Sequence, residues 1–193
     1  MRSKTMLKAT ILIMCMLQMA SNALSPILAL LEEAFPGAGA STIQFLMTFP
    51  SFFVIIITIV SAGISKRISK KVLLMTGLGL IALVGIGAFF IHPNMAVLFV
   101  WAGILGVGIG CIAALAISLI TDFFEGREAN NLMGYQTSFA NIGSMIMTFL
   151  GGILATIHWS ADYLVFPIIA VPALLLCAIF VPMKPVIQGK TID

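Results

Sequence analysis

Seven polar side chains interrupt long runs of hydrocarbon in this sequence: Gln18, Asn22, Gln44, Gln136, Thr137, Asn141 and Ser144. A carboxamide offers both donors and an acceptor, and a hydroxyl offers one of each kind, so such groups can hold an uncharged or amphipathic solute by hydrogen bonds. Each could equally join two helices, a contact worth about 0.6 kcal/mol inside a membrane. As a set they read as one wall of a cavity. A second group is ionic. Ser65-Lys66-Arg67-Ile68-Ser69-Lys70-Lys71 is a dense basic turn, and Asp122, Glu125, Arg127 and Glu128 crowd a later polar stretch. Asp122 closes an apolar helix, where a carboxylate meets the negative end of the helix dipole at a cost of about 0.3–1 kcal/mol unless a cation stands beside it. There is no Ser-His-Asp set, metal-ligand cluster or paired carboxylate, and His92 and His158 fall in loops. The chemistry expected is therefore binding rather than catalysis, with no metal and no cofactor. No ionisable residue is expected at the midplane of any helix, so a proton-coupled mechanism would need its carboxylate elsewhere.

The elements that position these groups follow from composition. Of 193 residues, 61% are hydrophobic and 9% charged, with a mean hydropathy of +1.16. A soluble domain carries about 25% charged residues, so this chain is read as an all-α integral membrane protein in a lipid bilayer. Six spans are expected, at 9–31, 41–64, 72–91, 95–121, 132–157 and 163–181, in one domain. The first apolar run, Ala9 to Leu31, is longer than the core of a signal peptide and is read as a membrane helix. The net charge of +3 sits in short loops and forms no basic face, which excludes nucleic acid as a partner. Cys15, Cys111 and Cys177 lie inside apolar runs and read as small buried hydrophobes.

Within the spans, polar residues fall in stripes. Gln18, Ser21, Asn22 and Ser25 share a face of the first, and Gln44, Thr48, Ser51, Thr58 and Ser61 run down the second, where Pro50 is expected to introduce a kink. Thr137, Asn141, Ser144, Thr148 and Gly151 recur at helical spacing in the fifth, with Gln136 beside them. The third and sixth spans are nearly bare. In the fourth, Gly103, Gly106 and Gly110, continued by Ala114 and Ser118, form a groove for close helix packing. Six crossings put both termini on the same side as the basic turn. Arg2, Lys4, Lys8, Lys66, Arg67, Lys70, Lys71, Arg127, Lys184 and Lys190 then all face one compartment, read as the cytoplasm, while Glu32, Glu33 and Asp162 fall in the opposite loops.

This layout resembles the N-terminal six-helix half of a major facilitator superfamily transporter. The family's loop between helices 2 and 3 has the form G-x-x-x-D-R-x-G-R-[RK]. Here Ala62-Gly63-Ile64-Ser65-Lys66-Arg67-Ile68-Ser69-Lys70-Lys71 matches at Arg67 and the basic pair, with Ala62, Lys66 and Ser69 in place of Gly, Asp and Gly. The family's R-x-x-x-G-x-G-x-G helix 4 is met at Gly106, Gly108 and Gly110, with Ala102 where the arginine would stand, and Asp122 to Ala129 looks like the family's loop after helix 4. The resemblance implies transport of a small solute by alternating access, as in a permease or efflux carrier in the plasma membrane. It implies a cytoplasmic latch in which Lys66 or Arg67 meets Asp122, with Arg127 close by, and a cavity lined by helices 1, 2, 4 and 5. It also implies a second six-helix half, on the same chain, on another chain or as a second copy. The competing reading is a membrane protein that does not transport, such as an assembly partner or an inactive remnant.

Overall fold

The computed structural model describes residues 2–65 and 67–181, so Lys66, Lys184 and Lys190 lie outside the described residues. Among those described, all regular structure is helical, and six helices are long and apolar enough to cross a bilayer. They are α1 (Thr5–Ala34), α2 (Ala40–Ile64), α3 (Lys70–Phe90), α4 (Met95–Phe123), α5 (Gly126–Ala155) and α6 (Trp159–Phe180). A hydrocarbon core about 30 Å thick needs about 20 helical residues. The shortest of these helices has 21, so each can span it alone.

α4 is the most enclosed helix. Its glycines let neighbours approach on two sides: a methyl group at Gly106 would overlap the Pro50 carbonyl of α2, and one at Gly108 would overlap Ile81 of α3. Gly103 faces Phe49 and Phe53, and Gly110 faces Ile57, so α2 lies along the whole row and packs chiefly on α4. At the end away from the basic turn, the Phe49 ring meets Phe99 of α4 edge-on at 5.1 Å between centroids. α3 sits between α4 and α6, while α1 is held between α4, α5 and α6. α2 and α5 are the least covered helices.

One helix interior and two helix starts differ from those expected. α1 is not one regular helix: Arg2–Met16 is α-helical, Leu17–Ile27 is a 3₁₀ segment, and Leu28–Ala34 is α-helical again. The cause is local. Pro26 cannot donate to the carbonyl of Asn22 one turn back, and Ser21, Asn22 and Ser25 are weak helix formers beside it. Met19, at φ −105° and ψ 24°, marks the irregularity. In α2, by contrast, the helical assignment runs unbroken through Pro50.

α5 begins at Gly126 rather than near residue 132. Its polar first turns extend the helix past the apolar span, with Glu128 placed favourably at the positive end of the dipole. α6 begins at Trp159 in a 3₁₀ turn capped by His158, whose ring accepts from the Ser160 amide. Asp162 therefore belongs to a helix and not to a loop.

Candidate functional site

The polar seam forms where α1 crosses α5. Gly143 admits the backbone of Met16 so closely that a side chain there would collide with it, and this contact aligns the two helices. Gln136 Nε2 then donates to Gln18 Oε1 at 3.4 Å, and Asn22 Nδ2 donates to Ser144 Oγ at 3.0 Å. Thr148 Oγ1 donates to the Asn22 carbonyl oxygen at 3.3 Å. In an α-helix this carbonyl would take the amide of residue 26, which Pro26 lacks; in the 3₁₀ segment its partner is the amide of residue 25, and Thr148 adds a donor from α5.

The candidates differ in what remains free. Gln136 is buried, Gln18 and Ser144 are half-buried, and Asn22 is exposed. Thr137 and Asn141 are exposed one turn apart on α5, where Asn141 Nδ2 donates to the Thr137 carbonyl at 3.1 Å. Gln44 is exposed on α2 and does not join the seam. The lower stripe of α2 is spent on α4 instead: Ser61 Oγ lies 3.5 Å from Cys111 Sγ, and Thr58 Oγ1 lies 3.5 Å from the Gly110 carbonyl. Two of the three polar stripes thus meet each other, and the third divides between α4 and open surface.

At the basic end, Lys70 reaches Asp122, with Nζ 2.7 Å from Oδ2, and also donates to Ser118 Oγ one turn earlier on α4. Lys70 opens α3 and Asp122 stands in the last turn of α4, so each charge is at the unfavourable end of its own helix dipole. Pairing them offsets both terms. Of the residues expected in the latch, Arg67 and Arg127 are exposed and pair with no acid among the described residues. Two further contacts tie this end together. Lys8 of α1 pairs with Glu128 of α5 at 2.5 Å, and Lys71 donates to the Ala178 carbonyl near the end of α6.

Asp162 was not among the candidates, because an acid near the end of a span is ordinarily assigned to the adjoining loop. The structure encloses it completely, at 0% exposure, and neither carboxylate oxygen has a hydrogen-bond partner among the described residues. The usable signal lay in its flanks: Trp159 and Tyr163 are residue types enriched at membrane interfaces. At the same end the His92 ring packs edge-on against Trp159 at 4.7 Å, joining the two loops.

No curated protein matches the chain. The family model described as Major Facilitator Superfamily matches residues 10–191. That match runs from within the first turns of α1 to beyond the end of α6. The chain is an integral membrane protein and belongs to the Major Facilitator Superfamily, a family of membrane transporters.

Proposed function

We propose that this chain forms one half of a transporter that carries a small uncharged or amphipathic solute by alternating access against a second six-helix half. The observation that carries this reading is the α1–α5 seam. Its amides and hydroxyls are joined across two helices yet remain partly open at Asn22, Thr137 and Asn141, and α3 and α6 have no comparable row. α2 and α5 are also the helices least covered by the rest of the bundle, as expected of surfaces that face another half. The ion pair of Lys70 with Asp122 then acts as the latch on the basic side, with Arg67 and Arg127 in the adjoining turns, and six crossings give the two ends of the chain the same side, read as the cytoplasm. Further support comes from the charges at the two ends: Lys8, Lys70, Lys71, Asp122 and Glu128 meet at one, while Glu33, His92 and His158 lie at the other.

Cysteine accessibility tests the reading. In a background with Cys15, Cys111 and Cys177 replaced, Asn22→Cys and Asn141→Cys should react with a membrane-impermeant thiol reagent, and Leu80→Cys on α3 should not. Equal labelling of all three would remove the cavity. Solute flux in liposomes containing the chain and a second half, with an altered rate in Asp122→Asn, tests transport itself. Reporter fusions that put the Glu32 loop and the Arg67 turn in one compartment would overturn the topology.

A further inference from the structure

Asp162 takes no part in the seam or the latch, yet it is the most enclosed carboxylate among the described residues. Its surroundings are built to receive it. α5 carries Gly151 at this level, and Asp162 Oδ1 occupies the space that a side chain there would fill. The carbonyl oxygen of Ala23, in the 3₁₀ segment of α1, lies 3.1 Å from the same point. The carboxyl group thus stands where α5, α6 and the irregular part of α1 converge.

Nothing nearby compensates a negative charge. On its own turn the titratable neighbour is Tyr163, itself buried. His158, just before the turn, is exposed and engaged with Ser160, and His92, beyond the end of α3, is packed on Trp159. The 17–27 segment of α1 contains no ionisable residue, and Cys15 precedes it. Of the remaining titratable groups on the packed helices, Glu32 and Glu33 in the last turn of α1 stand at the same end and are acids, while Lys8 on α1, Arg127, Glu128 and Tyr135 on α5, Lys70 and Lys71 on α3 and Cys177 on α6 lie toward the basic end. At 1.5 Å per helical residue, Arg127 is roughly 30 Å or more from Gly151. An enclosed carboxylate with neither a cation nor a hydrogen-bond donor is strongly disfavoured as the anion, whereas the neutral acid is tolerated.

We propose that Asp162 is a proton-binding site: the packed junction of α1, α5 and α6 holds it as the neutral acid, and release of the proton to water accompanies separation of the 17–27 segment from α5 and α6. The ligand is a proton, and no bond other than O–H forms or breaks. Because the closed junction accommodates only the neutral form, raising the pH shifts the population toward the open junction and lowering it restores packing. This is independent of whether the chain transports a solute, and the test below requires no flux.

The test uses the full chain in nanodiscs, labelled with [4-¹³C]aspartate and followed by infrared spectroscopy through a pH titration. At neutral pH the wild type should give a protonated-carboxyl band that shifts with the isotope, persists in Asp122→Asn and disappears in Asp162→Asn. In parallel, the thiol of Ala23→Cys, with the native cysteines replaced, is labelled as a function of pH. Its rate, normalised to the same variant carrying Asp162→Asn to remove the thiol's own ionisation, should rise about tenfold as the band is lost, as expected for an open state going from a minor to a major population. Absence of an isotope-sensitive acid band at neutral pH in the wild type would overturn the proposal, even if Asp162→Asn fails to fold. So would a normalised labelling rate that does not change with pH.

Discussion

The bond from Thr148 to the Asn22 carbonyl can be tested against the proline one turn along α1. In an α-helix the amide of residue 26 would donate to that carbonyl; Pro26 has none, the 17–27 segment takes 3₁₀ geometry, and the hydroxyl of Thr148 reaches the carbonyl from α5 at 3.3 Å. Thr148→Val removes the donor while keeping the shape of the side chain. Hydrogen bonds between membrane helices average about 0.6 kcal/mol and reach about 1.7. The carbonyl lies in a 3₁₀ turn, where the amide of residue 25 can serve it, and on an exposed residue, so the loss should fall in the lower half of that range, about a three- to fivefold change in the unfolding equilibrium. Pro26→Ala restores an amide at position 26 and allows an α-helical turn in which that amide takes the Asn22 carbonyl. In that background Thr148→Val should cost close to nothing, giving a coupling energy of about 0.6–1 kcal/mol in a double-mutant cycle. The assay is reversible unfolding of the purified protein in mixed micelles, read by far-UV circular dichroism. An equal cost of Thr148→Val in both backgrounds would refute the reasoning, because Pro26 would then have no part in leaving that carbonyl open to α5.

Two further perturbations follow from the packing and the charges. Gly106→Ala drives a methyl group into the Pro50 carbonyl and should destabilise the bundle by about 1–3 kcal/mol, whereas Gly134→Ala, with open space around it, should be neutral or stabilise by up to about 1 kcal/mol; thermal melts in detergent compare them. The Lys70–Asp122 pair, about a quarter to a third exposed on each side chain, should show a coupling energy of at most about 1 kcal/mol in a Lys70→Met and Asp122→Asn cycle, shrinking as salt is raised.

The number of crossings and most of their limits were legible because hydropathy integrates over about 20 residues and tolerates local irregularity. The same averaging hid what was local. The polar residues of 126–131 look like a loop to a hydropathy reading, although a helix can run on into water when its first turn carries Glu128 and its partner Lys8 waits on α1. Pro26 was overlooked in favour of Pro50, yet it is Pro26, among Ser and Asn, that accompanies the change to 3₁₀ geometry. Which stripes meet is a matter of how helices are arranged in space, and periodicity along one helix carries no information about its neighbour. The contact of Lys70 with Asp122 depends on the register of α3 on α4, where a Cβ on Gly77 would lie only 2.9 Å from Cys111 Cβ. Spacing within either helix alone says nothing of that register. Asp162 was hidden for a related reason: the rule that sorts charges by compartment assumes that an acid near a helix end reaches water, and enclosure by α1 and α5 removes that assumption.

α2 leans chiefly on α4, and this has a consequence for biogenesis. At roughly 5–20 residues per second, the ribosome needs about 3–12 s to extend the chain from the end of α2 to the end of α4. Throughout that interval α2 stands in the bilayer before its glycine-lined berth exists. Apart from the Leu46 carbonyl, which loses its helical donor to Pro50, its backbone is satisfied internally, so it can wait in lipid at little cost to its own helix. A translational pause inside the α4 coding region would prolong the wait and open a window in which another helix could claim the face of α2 that Gly106 is meant to receive.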